Sequence, residues 1–313
     1  MLMPPFELHN PASVEEACAI AAKLLSAGEE FDWIAGGTDL IPNYKWHINT
    51  KPHVISLVGL DASTISMTEI GCMARLQDIA ESGDAHPLIS MAAGKVASSL
   101  IRRSATLGGN LCLDTRCFWF NQTEEWRSSI DWCHKCDCGT GADCRVIPNQ
   151  NELCVATYQG DLAPALMVLD ATIHLIGPEG GREMLLHDFF KLDGMTRNVL
   201  RPGEFVLKIT FPDDAGQYTG SYQKLRVRES WDFPEAGVAA AWKDGDRSTL
   251  RLATTALESI PRRHDEQVAE SAGDIKALAD AVYKEVKPVN NTALPPRYRR
   301  NMLKVLIKRA CKE

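Results

Sequence analysis

The chain has 313 residues, 45% apolar and 24% charged, with 41 acidic against 34 basic side chains and a formal charge of −7. That is enough chain for two or three lobes with cores of their own, and the acidic balance argues against nucleic acid as the main partner, because phosphate binding draws on concentrated Lys and Arg. No stretch approaches the roughly 20 apolar residues that cross a bilayer, and the first residues have no basic or apolar leader character, so a cytoplasmic protein without a membrane partner is expected.

Ser13-Val-Glu-Glu16 reads as a capping box. It opens a helix with Ile20, Ala21, Leu24 and Leu25 at helical spacing, which stops at Gly28. Phe31 to Ala35 is expected to be a short buried strand that turns at Gly36-Gly37 towards a helix near Asp39. A second lobe is expected from about His53, with a strand near Ser66 to Gly71 and helices over Arg75–Glu81 and Leu88–Ile101. Gly160 to Asp170 reads as an apolar helical segment, and Ala171–Ile176 and the run to Leu186 as a hairpin around Pro178-Glu-Gly-Gly181. From about Leu192 the pattern alternates. Phe205–Phe211, Ser221–Val227, Gly237–Trp242 and Ser248–Ala256 are expected to form one antiparallel sheet, followed by helices over Asp265–Val286 and from Pro295 onwards. Arg297, Arg299, Arg300, Lys304, Lys308, Arg309 and Lys312 crowd the last helix, where a solvated face is the expectation and a docking surface the alternative.

Two glycine turns stand out. Ala35, Gly36, Gly37, Thr38 and Asp39 form one; Thr106, Leu107, Gly108, Gly109 and Asn110 form the other. Backbone N–H groups can approach a pyrophosphate only where no side chain intervenes. Neither turn has the Gly-x-Gly-x-x-Gly spacing of a nicotinamide-binding unit, but two in adjacent lobes could grip one extended dinucleotide. No Ser/His/Asp set or His-Glu-x-x-His pattern offers hydrolytic chemistry.

Seven of the ten cysteines fall between Cys112 and Cys154. Without an export signal, metal ligation is the better reading than a disulfide scaffold. Cys133-His-Lys-Cys136 with Cys138 and Cys144 contains a zinc-knuckle spacing, while thiolates on a long loop beside a flavin-type turn also suit an iron–sulfur cluster. His134 reads as a solvated or supporting loop histidine. Trp119, Trp126 and Trp132 are expected to shield the cysteines.

Ala35-Gly-Gly-Thr-Asp-Leu40, Thr106-Leu-Gly-Gly-Asn110, Gly160-Asp-Leu-Ala-Pro-Ala-Leu166 and Tyr298-Arg-Arg300, in this order, resemble the FAD-binding medium subunit of the xanthine oxidase (molybdenum hydroxylase) family. The resemblance implies an α+β fold: two small α/β lobes forming an FAD-binding domain, at 1–52 and 53–190, then an α+β lobe at 191–313 with an antiparallel sheet and C-terminal helices. It implies that both glycine loops, Leu40 included, hold FAD, that Asp161 also touches it, and that Lys224 of Tyr222-Gln-Lys224 approaches the flavin. Ordinary medium subunits hold no metal. The excursion at about 114–156 resembles the β subunit of 4-hydroxybenzoyl-CoA reductase, through Gly108–Cys112, Asp114–Cys117, Asn121-Gln122, Trp126–Ser128, Cys133, Cys144, Cys154 and Ala156–Tyr158.

That closer resemblance implies a 4Fe-4S cluster on Cys117, Cys133, Cys144 and Cys154, with Cys136 or Cys138 as possible substitutes for Cys133 or Cys144. Cys112 is expected to be a packed thiol, and Cys18, Cys72 and Cys311 core residues. The implied partners are a large subunit with a molybdenum cofactor, a small subunit with two 2Fe-2S clusters, and a ferredoxin-like donor, for removal of the phenolic hydroxyl of an aromatic CoA thioester. Two alternatives stand beside it: an FAD subunit of a hydroxylase for a purine, aldehyde or N-heteroaromatic, and a zinc-stabilised interaction protein.

Overall fold

The computed structural model describes residues 2–135, 143–149 and 152–312. The capping box forms: the Glu16 N–H donates to Ser13 Oγ at 3.2 Å, and the Glu16 carboxylate accepts the Ala12 N–H at 2.7 Å. The helix Val14–Ala27 then ends at Gly28, whose φ of +73° suits a residue without Cβ. Strands β1 (Glu7–His9), β2 (Phe31–Ile34) and β3 (His53–Ser56) make a parallel sheet in the order β1-β3-β2. His53–Ser56 was expected to open the second lobe; it is instead the middle strand of the first. The cause is pairing, since β1 and β2 each hydrogen-bond only through β3, and a parallel return needs the crossover that carries the helix Leu40–Lys45.

A second sheet has the order β4-β7-β5-β6, built from β4 (Glu69–Gly71), β5 (Thr172–Gly177), β6 (Gly180–Leu185) and β7 (Phe205–Thr210), all antiparallel. The β5–β6 hairpin closes with Gly177 opposite Gly180. The expected position of Phe205–Phe211 in the last sheet is corrected here. Ile209 pairs with Ile70 on one side and Ile173 on the other, and Phe205, Val206 and Ile209 are buried in the main core. The expected helix Leu88–Ile101 is two, Pro87–Gly94 and Ser99–Arg102. Ala97 takes a φ of +39° between them, and Ser98 Oγ accepts the Ile101 N–H to start the second.

The third sheet runs β11-β10-β9-β8, from β8 (Tyr218–Leu225), β9 (Ala236–Lys243), β10 (Asp246–Thr255) and β11 (Arg262–Arg263). Strand alternation divides β9 between two cores. Ala239 and Ala241 face the main one, while Val238, Ala240 and Trp242 meet Leu278, Val282, Leu303 and Ile307 of the C-terminal helices in the other. The expected helix Asp265–Val286 breaks into Asp265–Ser271 and Ile275–Glu285, where Ala272 and Gly273 take φ of +48° and +87°. Among the described residues, no helix is long and apolar enough to cross a membrane.

Arg299 departs from the expected solvated face of the helix Pro296–Ala310. It is fully buried, donates to the carbonyls of Ala256 (3.1 Å) and Val289 (2.5 Å), and faces Glu235 at 3.9 Å. Glu235 in turn accepts from Thr292 Oγ1 and the Leu294 N–H. Arg299→Ala strips cover from a buried carboxylate and two carbonyls and is expected to cost about 3–5 kcal/mol in urea unfolding, whereas exposed Arg297→Ala stays within about 0.5 kcal/mol.

Candidate flavin cavity and cysteine pocket

A cavity of about 730 Å³ separates the first parallel unit from the second, walled by both glycine turns. The turns meet backbone to backbone: a Cβ on Gly36 would overlap the carbonyl oxygen of Ser104, just ahead of the second turn. Gly37 has a φ of +67°, and a Cβ on Gly108 would stand 2.9 Å from that of Cys72. Thr106 caps its own turn by accepting the Gly109 N–H at 3.2 Å. Ala35, Gly36, Gly37, Thr38, Asp39 and Leu40 from the first turn line the cavity, as do Thr106, Gly108, Gly109 and Asn110 from the second, and Asp161.

Lys224 lies behind this wall. Its ammonium, 2% exposed, donates to Asp161 at 3.0 Å and to the Lys95 carbonyl at 2.9 Å. Tyr222 donates to the other Asp161 oxygen at 2.7 Å. Burial pushes Asp161 above the ordinary carboxylate range, with Lys224 and Tyr222 drawing it back, and burial likewise lowers Lys224. Each charge is costly to bury alone and is partly offset by the other, and Lys224 bears on the cavity through Asp161.

The cysteine excursion is closed at its neck. Arg116 and Thr157 exchange backbone hydrogen bonds (2.7 and 2.8 Å), and Asn291 ties both stems through the Phe118 N–H, the Val155 carbonyl and Thr157 Oγ1. Cys117 and Cys154 thereby pack with Ile48, Phe120 and Ala156, and Cys133 packs against them. Burial pushes the thiols of Cys117 and Cys154 up to about 12 and about 11. Cys144 Sγ accepts from the Ile147 N–H at 3.4 Å, and Cys154 Sγ from the Ala156 N–H at 3.5 Å. Cys18, Cys72, Cys112, Cys117, Cys154 and Cys311 are free thiols. Cys136 and Cys138 lie outside the described residues. Of the tryptophans, Trp119 packs on the cysteines, Trp126 tilts against Trp119 and is partly exposed, and Trp132 lies under the Arg127 guanidinium. The ring nitrogens of His134, expected as a solvated or supporting histidine, are buried without a hydrogen-bond partner among the described residues, which removes the solvated alternative.

Sequence reasoning missed the charges that bind the excursion to the cavity. Arg116 pairs with Asp39 of the first turn, and Lys135 with Asp114, which itself lines the cavity. Their only signal was position: Asp114 and Arg116 sit between Cys112 and Cys117, and Lys135 two residues after Cys133.

A glycine-walled cavity between a parallel unit and an antiparallel unit, large enough for an extended dinucleotide, defines a flavin-binding protein of α+β class. The family model described as the FAD binding domain in molybdopterin dehydrogenase matches residues 4–214, and the chain belongs to that family as an FAD-binding dehydrogenase subunit. It is 31% identical to the aldehyde oxidoreductase FAD-binding subunit PaoB of Escherichia coli K12, over 82% of this chain and 84% of that one. It is 25% identical to the carbon monoxide dehydrogenase medium chain of Afipia carboxidovorans, over 99% and 96%. In fold it matches the reconstituted CO dehydrogenase from Oligotropha carboxidovorans with a TM-score of 0.77 at 20% identity, covering 100% of this chain and 98% of that one.

Two outcomes are expected. Gly36→Ala forces the turns apart, and a displacement costing only about 1.4 kcal/mol weakens binding tenfold; fluorescence titration of the apoprotein should show FAD affinity reduced at least that much. Lys224→Met leaves Asp161 buried without its cation and should cost about 3–5 kcal/mol in urea unfolding, most of it restored in Lys224→Met/Asp161→Asn.

Proposed function

We propose that this subunit carries a 4Fe-4S cluster beside its FAD and passes electrons between an external ferredoxin-like donor and partner subunits that hold 2Fe-2S clusters and molybdenum, for reductive removal of the hydroxyl group of an aromatic CoA thioester. The observation that carries the reading is the closed excursion, which packs Cys117, Cys154 and Cys133 against one apolar pocket and abuts the flavin cavity. FAD, held by the two glycine turns with Asp161 and Lys224, supplies the exchange between one- and two-electron chemistry. Cys117, Cys133, Cys144 and Cys154 would hold the cluster. Backbone N–H donors already directed at two of these sulfurs, and the buried nitrogens of His134 next to Cys133, are the hydrogen-bonding groups that set the potential of such a centre.

A second reading is favoured by the 31% identity to the aldehyde oxidoreductase subunit: the same chain in an aldehyde-oxidising enzyme, with electrons leaving through this subunit.

Anaerobically purified protein is expected to contain FAD and about four iron and four sulfide per chain. Cys117→Ala should lose the iron and keep the flavin. A colourless protein with one zinc overturns the reading, and turnover of an aldehyde but not of the thioester by the holoenzyme selects the second.

A further inference from the structure

Lys135 and Asp114 form a buried charge pair with one member in the cysteine pocket and the other in the wall of the flavin cavity. We propose that this pair sets the reduction potentials on both sides and couples them. The inference rests on the iron reading above for the cysteine side and on FAD alone for the other.

The Lys135 side chain is 7% exposed. Its ammonium donates to Asp114 Oδ1 at 2.8 Å, to Thr115 Oγ1 at 2.6 Å and to the Thr115 carbonyl at 3.2 Å, which uses all three of its hydrogens. The same ammonium stands 4.6 Å from the centre of the Phe120 ring, and Phe120 packs with Cys117 and Cys154. Thr115 is fixed in turn by donating to the Gly194 carbonyl at 2.6 Å, while the Gly194 N–H donates to the Cys154 carbonyl. The cation is therefore held in place by the backbone that also holds two of the cysteines. On the other side, Asp114 and Arg197, 3.4 Å apart, both line the flavin cavity. Burial would raise Asp114; Lys135 and Arg197 outweigh it and hold the carboxyl below its usual range.

Charges buried this way are screened little by salt. Adding one electron from a donor to either centre adds negative charge beside the pair, so the ammonium favours the reduced form and the carboxylate opposes it. Within the intact pair these effects largely cancel. Removing one member exposes both centres to the other, and the sign of the shift identifies which was removed.

The test is an anaerobic dithionite titration of the holoenzyme, with mediators, following the cluster by EPR and the flavin by absorbance. Lys135→Met should raise the ratio of oxidised to reduced cluster at least tenfold at fixed potential, about 59 mV negative for a one-electron centre, and move the flavin the same way. Asp114→Asn, nearly isosteric, should move both positive, and the double variant should return both to within twofold of the parent ratio. A merely structural role predicts no opposed shifts. If Lys135→Met loses its iron, Asp114→Asn alone decides. Iron-loaded variants with unchanged potentials, or shifts of one sign, overturn the inference. Parent protein without iron overturns the iron reading instead, and the opposed flavin shifts still test the pair.

Discussion

Residue 36 has no side chain, and the flavin cavity depends on that. The first turn leaves a parallel strand whose partners come from the first 56 residues, and the second turn is anchored on the core of the antiparallel unit, through Leu107 and Leu111 and through the Gly108 N–H bonded to the Cys72 carbonyl at 2.8 Å. Two units built on different sheets come into backbone contact at Gly36 and Ser104. Any Cβ there would hold the units apart and turn a cleft that presents main-chain donors to a diphosphate into an open groove. The positive φ of Gly37 completes the turn on the same principle.

Around this contact four buried charge pairs each join segments remote in sequence. Asp161 of the apolar helical segment meets Lys224 of β8, Glu235 meets Arg299 of the last helix, Asp39 meets Arg116, and Asp114 meets Lys135. Such pairs add little net stability, because desolvation offsets most of the attraction. Their effect is on arrangement: each forbids a packing that would separate its members, since a lone buried charge is far more costly than the pair. Three of the four pairs touch the flavin cavity through a carboxylate in its wall. Each of these three wall carboxylates thus carries its own cation into the cavity.

The elements with local signals were legible in the sequence. The capping box at Ser13, the stop at Gly28, the β5–β6 hairpin and the apolar face of the last helix each need only a few neighbouring residues to define them. Sheet membership was not. Phe205–Thr210 was expected to be a strand and His53–Ser56 only the start of a lobe; which sheet each joins is decided by partners that lie more than 20 residues away, and alternation records a buried face without naming what covers it. Helix continuity failed at Ala97 and Ala272, which sit at positive φ; at the second, Gly273 and the capping Asp274 were local signals of the break. Arg299 was hidden by its neighbours, since a basic run reads as solvated unless one knows that Glu235 waits beneath it. In the site, the glycine turns were visible because glycine is the residue chemistry demands there, whereas Asp114, Arg116 and Lys135 look like ordinary surface charges until the fold buries them.

The cysteine spacing illustrates the same limit from the other direction. Short motifs encode geometry only when their residues share one local turn, and Cys117 and Cys154 converge because the Arg116–Thr157 bridge closes the neck on which both sit. A closed neck lets the middle of the excursion vary in length without moving either sulfur. It also concentrates cations: Arg127 is buried against the carbonyls of Gln122 and His47, Lys135 against Asp114 and Thr115, and Arg145 donates to the Trp132 carbonyl.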